Sequence, residues 1–213
     1  MKYILNAGHG ALQEGKRSPT IVKGVQFMEY EFNRDIVRRI ALKLHDLNIP
    51  YEVLMPNPNI GAALFERVTK ANNIAEKSDV PCIYVSVHAN ANGNGIDWDS
   101  ASGIETWYFK NSSNGLKLAS LFQDNLMKQL GDDFKDRGIR AKDNVDKSFY
   151  ELRKTNMYAV LTENGFYTNR DEVEKLYDDS IRQKIADGHV EAIKYIEANG
   201  FDNVSTYHKN VLL

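Results

Sequence analysis

The sequence contains one cysteine, no long apolar run and no excess of basic residues, and each shortage excludes a class of protein. Cys82 alone forms neither an internal disulfide framework nor a cysteine-rich zinc site, and its apolar neighbours predict a small buried core residue. No segment reaches the roughly 20 apolar residues that a membrane-spanning helix needs. A formal net charge of −2 provides neither the basic surface that nucleic acid requires nor a polybasic membrane anchor.

A targeting segment is also missing from the beginning of the chain. The N-terminus lacks the long apolar region and the cleavage site of a signal peptide. We therefore expect the protein to be made in the cytoplasm without a signal peptide, and to need another route to any target outside. The length of 213 residues predicts one domain with a sizeable core, which we place at residues 1–200, followed by a short tail at residues 201–213.

Short apolar strands alternate with amphipathic helices along the chain. The predicted strands are residues 2–7, 51–54, 82–88, 104–109, 137–140 and 157–163. The predicted helices are residues 28–47, 61–77, 115–130 and 180–198, together with a short one that begins at residue 169. This alternation is typical of the α/β class, here a single three-layer domain whose twisted, mostly parallel sheet carries helices on both faces.

Three of the predicted strands end in residues that can carry chemistry. The strand at residues 82–88 is an apolar run that ends in His88 and a glycine-bearing loop. The first strand is followed by His9, which stands between two glycines, and the strand at residues 157–163 ends in Glu163. Ligands of open α/β sheets bind beyond the carboxyl ends of the strands, so the pattern predicts one crevice that receives all three side chains.

Glu29 is an acidic residue on the apolar face of a predicted helix. At about 100° per residue it points the same way as Phe32, Ile36 and Ile40, toward the core. Burying a lone charge is costly, so this carboxylate needs a partner, which is either a basic side chain or a metal ion. Taken alone, Glu29 is better explained by a salt bridge or by the helix dipole than by metal binding.

His9, Glu29 and His88 together form a donor set that suits a catalytic zinc ion. Such an ion takes three protein ligands from nitrogen and oxygen donors and keeps one position for water. Glu163 would then stay outside the coordination shell as the general base. Each residue alone has an ordinary structural explanation, and Glu163 could simply cap the following turn. Their conjunction favours a metal hydrolase.

The other polar candidates have weaker support. The chain contains no G-x-S-x-G nucleophile elbow and no phosphate-binding P-loop. Arg67 and Asn72 are expected either to orient loops by hydrogen bonding or to serve a structural role at the surface. The three remaining histidines lie on predicted helix surfaces or in the tail, and we expect them to be solvated. They are His45, His189 and His208.

Four motifs occur in an order and an approximate spacing that resemble one enzyme family. Residues 6–10 are Asn-Ala-Gly-His-Gly, and residues 29–36 are Glu-Tyr-Glu-Phe-Asn-Arg-Asp-Ile. Residues 86–91 are Ser-Val-His-Ala-Asn-Ala, and residues 161–169 are Leu-Thr-Glu-Asn-Gly-Phe-Tyr-Thr-Asn. The set resembles the zinc-dependent N-acetylmuramoyl-L-alanine amidases of the Amidase_3 type, which are found in bacterial cell-wall hydrolases and phage endolysins. The resemblance covers nearly the whole chain.

The resemblance implies a role for each of four residues. His9, Glu29 and His88 would be the zinc ligands, and Glu163 would be the catalytic carboxylate. The implied reaction is hydrolysis of the amide between the lactyl group of N-acetylmuramic acid and the L-alanine of the stem peptide. Peptidoglycan is then the expected partner, and neither nucleic acid nor a membrane span is expected. No wall-binding repeat follows the domain, so access to the wall is expected to depend on the domain itself, on oligomers, on a holin or on another partner.

The chain also departs from the family pattern. Its first motif has Asn-Ala before Gly8 where the family often has Asp-Pro, which affects the shape of the loop more than the identity of the ligands. A polar insertion precedes Gly103, so substrate contacts there do not transfer. Two alternatives stay open: a zinc exopeptidase or deacylase on a related scaffold, and a non-catalytic wall-binding domain.

Overall fold

The computed structural model of the protein describes residues 1–11, 13–54, 64–143, 149–204 and 211–212. The strands in this part of the chain are β1 (Lys2–Ala7), β2 (Tyr51–Val53), β3 (Cys82–Asn90), β4 (Ile104–Phe109), β5 (Asp136–Lys142), β6 (Tyr158–Phe166) and β7 (Val211–Leu212). The α-helices are α1 (Glu29–Asp46), α2 (Leu64–Glu76), α3 (Ser113–Leu130), α4 (Tyr150–Lys154), α5 (Arg170–Leu176) and α6 (Asp179–Asn199).

The strands form one sheet in the order β2-β1-β3-β6-β4-β5-β7. Every pair of neighbours is parallel except β4 and β6, which run antiparallel. The central strands β1, β3 and β6 are buried almost throughout, which is why their sequences are nearly continuous apolar runs. Their carboxyl ends therefore lie along one edge of the sheet, where a site is expected.

The sheet is the middle of three layers because side chains alternate between its two faces. Tyr3 and Leu5 of β1 belong to a large core that includes the apolar faces of α1, α3 and α6. Ile4, between them, belongs to a smaller core on the opposite face, where Ala71 of α2 and Leu152 of α4 pack. The predicted fold class, an α/β domain with a mostly parallel sheet covered on both faces, is confirmed.

Local sequence signals explain where several helices begin. Ser112, Asn169 and Asp178 are N-cap residues whose side-chain oxygens accept hydrogen bonds from backbone N–H groups in the first turns of α3, α5 and α6. Helix α4 was not predicted, since five residues give too short a stretch for a helical period. It begins after Phe149, which has a left-handed φ of 50°.

The C-terminal segment contributes to the sheet in its described part. Strand β7 pairs with β5 through Val211 and Leu212, and Phe201 and Val204 are buried against the large core. The division into a domain at residues 1–200 and a tail at residues 201–213 stays a prediction. In the described ranges, no helix combines the length and the apolar composition that crossing a membrane requires.

Candidate metal centre and catalytic cleft

The two histidine-bearing segments meet because β1 and β3 are neighbours. Ala7 is the register partner of Val87, and the Gly8 N–H donates to the Val87 carbonyl at 3.0 Å. His9 follows with a left-handed φ of 62°, and its ring lies edge-on to that of His88 with the centroids 4.8 Å apart. Gly8 makes this approach possible, since a Cβ there would lie 2.2 Å from His88 Cε1.

Glu29, at the start of α1, completes the cluster. Its Oε1 lies 3.3 Å from His9 Nε2 and 3.2 Å from His88 Nδ1. One ligand atom from each of the three residues falls within 4.8 Å of the others, so the group could hold a metal ion. Glu29 is 1% exposed, as its inward position on the helix predicted. The fold thus brings the three predicted ligands together in one cluster.

The electrostatics of this cluster favour a positive charge between the side chains. Burial on its own raises the pKa of the Glu29 carboxyl, but the two imidazoles reverse this and hold it below its ordinary value. Burial would likewise lower the pKa of His88, whereas the carboxylates of Glu151 and Glu29 raise it to about 10. A bound cation would supply the positive charge that these carboxylates stabilise.

Glu163 lies beside this cluster on the adjacent strand β6. It is the register partner of His88, it is buried, and it lines the same cleft. Among the described residues, its Oε2 atom has no hydrogen-bond partner. Burial, reinforced by Glu29 and Glu105, raises the pKa of Glu163 to about 8, although His88 opposes the shift. A buried carboxyl group without a partner requires an explanation, and a catalytic role is one.

The cleft above the cluster has a volume of about 340 Å³. Besides the four predicted site residues, its lining includes Lys16, Asn90, Phe149, Glu151, Leu161 and Tyr167. A larger groove of about 540 Å³ runs beside α2, but its described lining brings together no histidine–carboxylate cluster. The chemistry therefore favours the smaller cleft.

A basic and aromatic cluster lies beside the cleft and adjoins its lining through Phe149. The Glu105 carboxylate, which lies opposite Glu163 in the sheet, accepts hydrogen bonds from the Nε atoms of Arg137 and Arg140, both at 2.7 Å. Trp107 donates to the same carboxylate at 3.0 Å and stacks on Phe149 with the ring centroids 4.9 Å apart. The carboxylate thus fixes two cations and an indole along β4 and β5.

Several residues around the cluster of candidate ligands were not predicted. His9 Nδ1 lies 2.7 Å from Gln13 Oε1, and Asn33 Nδ2 lies 3.3 Å from Glu29 Oε1. Glu151 of α4 lies behind His88 and is 1% exposed. Asn33 follows Glu29 by one helical turn, a spacing that offered a signal. Glu151 offered none, because its segment had no recognised element.

Two other predictions have definite outcomes. Arg67 is buried and donates to the Asn6 side chain at 2.9 Å and to the His9 carbonyl, so it orients a loop rather than serving at the surface. The prediction for His189 was wrong, because this residue is fully buried. It lies between Thr162 Oγ1 at 2.9 Å and the Ile185 carbonyl at 2.8 Å.

The structure also bears on the predictions for Cys82, His45 and Asn72. Cys82 is buried as a core residue, and His45 is exposed, so both predictions are confirmed. Asn72 joins α2 to the segment that precedes β6, since its side chain donates to the Lys154 carbonyl and accepts from the Asn156 N–H. His208 and residues 61–63 of the predicted second helix lie outside the described residues.

Comparison with known proteins agrees with this geometry. The family model described as N-acetylmuramoyl-L-alanine amidase, Amidase_3, matches residues 4–195. The chain belongs to this family. The match contains all four candidate site residues of this Amidase_3 member: His9, Glu29, His88 and Glu163.

Relatives of this Amidase_3 member include a phage endolysin and a bacterial amidase. An endolysin of Bacillus phage SPP1 is 36% identical over 197 residues, which are 90% of this chain and 64% of the relative. The N-acetylmuramoyl-L-alanine amidase LytC of Bacillus subtilis is 32% identical over 193 residues, which are 88% of this chain and 34% of the relative. The chain thus spans less than two thirds of either relative.

Solved structures support the same fold for this Amidase_3 member. The N-acetylmuramoyl-L-alanine amidase from Clostridium difficile 630 superposes with a TM-score of 0.75 and 29% identity, covering 93% of this chain and 97% of the other. The catalytic domain of CwlV, an N-acetylmuramoyl-L-alanine amidase from Bacillus (Paenibacillus) polymyxa var. colistinus, gives a TM-score of 0.73 and 26% identity. It covers 92% of this chain and 98% of the other.

Proposed function

We propose that this protein is a zinc-dependent N-acetylmuramoyl-L-alanine amidase that cleaves the amide between N-acetylmuramic acid and L-alanine in peptidoglycan. The observation that carries the proposal is the convergence of His9 Nε2, Glu29 Oε1 and His88 Nδ1, with Glu163 on the next strand. Membership of the family and the names of its relatives support the choice of reaction.

The three converging side chains fit zinc. Two imidazole nitrogens and one carboxylate oxygen favour zinc over magnesium, which prefers oxygen ligands alone. Three protein ligands also leave a position open, as in catalytic zinc sites. We propose His9, Glu29 and His88 as those ligands. When bound, zinc supplies Lewis acidity toward a water molecule and toward the scissile carbonyl.

Glu163 is proposed as the residue that moves the proton. Its carboxylate would take a proton from the attacking water and deliver it to the nitrogen of the departing L-alanine. Its position supports this role, because it lines the cleft beside the ligands and belongs to a different strand from any of them. A carboxyl group whose pKa is raised toward neutral can both accept and release a proton near pH 7.

The cluster beside the cleft supports a substrate that combines a sugar and a peptide. Trp107 and Phe149 provide an aromatic surface, and Lys142 Nζ lies 5.5 and 5.6 Å from the two ring centroids. Arg140, held by Glu105, lies 5.9 Å from the Trp107 ring. We infer that the rings contact apolar faces of the substrate and that the cations attract its carboxylates.

The relationship to a phage endolysin supports a lytic role at the cell wall. We further propose that the protein is made in the cytoplasm and reaches the wall with the help of a holin or another partner. Co-expression with and without a holin would test this, since lysis should depend on the holin whereas activity on isolated walls should not.

Digestion of purified peptidoglycan tests the proposed reaction. The zinc-loaded protein should release stem peptides with a new L-alanine amine and leave the glycan chains uncut. New reducing sugar ends would indicate a glycosidase instead. Cleavage of short peptides without muramic acid would favour an exopeptidase or deacylase. No activity, and no change on replacing Glu163 by Gln, would favour a non-catalytic wall-binding domain.

A further inference from the structure

A buried polar network lies behind His88, on the side of the ring that does not face Glu29. Nδ1 of the imidazole faces the Glu29 carboxylate at 3.2 Å, whereas Nε2 faces Oε1 of Glu151 at 3.3 Å. His88 is therefore flanked by two carboxylates, one for each ring nitrogen. Only the first of them belongs to the proposed ligand set.

Glu151 is held in place by a continuous series of side chains. The Ser86 hydroxyl donates to Glu151 Oε1, and the Asn6 amide donates to the Ser86 oxygen at 3.0 Å. Arg67 donates to Asn6 Oδ1 at 2.9 Å and also to the carbonyl of His9. The network thus joins the backbone of one histidine-bearing segment to the ring of the other.

Every side chain of this network is buried. Asn6 and Ser86 are fully buried, Glu151 is 1% exposed and Arg67 is 4% exposed. An ionised carboxylate is costly to bury, and an apolar side chain of similar size is often equally compatible with the fold. Positive charge on Arg67 compensates part of this cost, as does the contact with His88. The position calls for an explanation beyond packing.

The chemistry of imidazole supplies that explanation. A neutral imidazole carries its proton on one nitrogen and offers the lone pair of the other. Among the described residues Nε2 has no hydrogen-bond partner, and the Glu151 carboxylate, 3.3 Å away, is the acceptor placed beside it. A proton held on Nε2 by this carboxylate leaves the lone pair of Nδ1 directed at the centre of the cluster. Carboxylates that accept from the free nitrogen of a ligating histidine also increase its basicity and fix its orientation.

We propose that Glu151 is a positioning residue for the metal centre, which selects the tautomer of His88 that leaves Nδ1 free to bind the cation. The proposal rests on the proposed zinc site. Glu151 also borders the cleft, and the role proposed for it is exerted through the His88 ring rather than through direct contact with the substrate. Ser86 anchors the carboxylate beside the ring, and Arg67 supports Ser86 through Asn6.

Zinc affinity of the full chain tests the proposal. The zinc-loaded protein is titrated with a chromophoric chelator, and the zinc retained at equilibrium is compared among variants. Glu151→Leu should weaken zinc binding about 10- to 100-fold while the stoichiometry stays at one. Glu151→Gln should have a smaller effect, since its amide oxygen can still accept from Nε2–H. Ser86→Ala should weaken binding a few-fold, because Glu151 keeps its charge and loses one anchor.

Glu172→Gln is the matched control. Glu172 is also buried, but it accepts hydrogen bonds from the backbone N–H groups of Gly103 and Phe166, away from the histidines. This variant should keep the zinc affinity of the wild type even where its melting temperature falls. Spectra of the cobalt-loaded proteins give a second readout, since a reoriented His88 should change the visible bands of the Glu151 variants only.

The outcomes separate this inference from the proposed function. Wild-type protein that binds no zinc would overturn both. Zinc binding that His88→Ala abolishes, but that both Glu151 variants retain at wild-type strength, would overturn only the role of Glu151. An equal loss of zinc affinity in Glu151→Leu and Glu172→Gln would mean that both residues contribute only to general stability. Should Glu151→Leu fail to fold, then Glu151→Gln and Ser86→Ala decide, and wild-type affinity in both would contradict the proposal.

Discussion

His88 and Glu163 are register partners on two adjacent parallel strands. Because partner positions in a parallel pair project their side chains to the same face, the imidazole and the carboxylate emerge together at one edge of the sheet. Glu105 of β4 is in turn the partner of Glu163 on its other side. The order and register of β3, β6 and β4 therefore place His88, Glu163 and Glu105 side by side in one row across the sheet.

Replacing Glu163 by Gln separates catalysis from metal binding. The amide has the same shape but cannot accept the proton, so hydrolysis of peptidoglycan should fall by about 10²- to 10⁴-fold. Zinc content should stay at one ion per chain, because Glu163 is proposed to lie outside the coordination shell. Glu191, which is partly buried on α6 and pairs with Lys194, gives the control variant Glu191→Gln, which should retain full activity. Loss of zinc along with activity would show that Glu163 is a ligand.

The close approach of Gly8 to His88 predicts an effect of one methyl group. In Gly8→Ala the new Cβ would lie 2.2 Å from His88 Cε1, so the ring must move and zinc affinity should drop at least about tenfold. Gly188→Ala makes a comparable clash, with Cα of Leu126 at 2.8 Å, but between two helices. That variant should lose about 1–3 kcal/mol of stability and keep its zinc affinity. Equal zinc affinity in the two variants would contradict the proposed geometry.

The buried His189 predicts a loss of stability in acid. Burial lowers its pKa to about 4, although a hydrogen bond to Ile185 opposes the shift. Between pH 6.5 and pH 4 the unfolded chain therefore binds one more proton than the folded protein, and the free energy of unfolding falls as the pH decreases. This residue should contribute about 3 kcal/mol to that fall.

Urea unfolding at several pH values checks this expectation. The free energy of unfolding of His189→Asn should decline less between pH 6.5 and pH 4 than that of the wild type, whatever its value at pH 7. The exposed His45→Asn should follow the wild-type curve. Parallel curves for wild type and His189→Asn would mean that His189 is not the group responsible.

Removal of the metal should lower thermal stability. A ligand that binds only the folded chain stabilises it by about 2.7 kcal/mol at a free concentration one hundred times its Kd, which corresponds to a rise in Tm of roughly 5–10 °C. Calorimetry with added zinc or with a chelator measures this shift. Glu163→Gln should show the whole shift and His88→Ala none. A shift of equal size in His88→Ala would place the zinc elsewhere.

Much of the fold and the site was predictable because both depend on strand ends. Apolar runs that stop at His9, His88 and Glu163 predict strands, and parallel strands of one sheet place such ends together. The inward angle of Glu29 follows from helical periodicity in the same way. These predictions needed only local patterns and one rule about sheets.

The remaining features depend on contacts between distant segments. Glu151 lies 63 positions after His88 in the sequence, on a helix too short to show a period. His189 was misjudged although it is spaced four residues from both Ile185 and Ile193, on the buried face of α6. The helical spacing of His189 indicated a buried position, but the prediction gave more weight to the polar character of histidine. The hydroxyl of Thr162 and the Ile185 carbonyl make its burial tolerable.

In the proposed site, His9, Glu29 and His88 share one zinc ion while Glu163 stays outside the coordination shell. Diffraction from crystals of the zinc-loaded protein, collected on both sides of the zinc absorption edge, measures this directly. We expect one anomalous peak about 2.0–2.2 Å from His9 Nε2, Glu29 Oε1 and His88 Nδ1. A peak elsewhere, or one coordinated by Glu163 or by Nε2 of His88, would contradict this expectation.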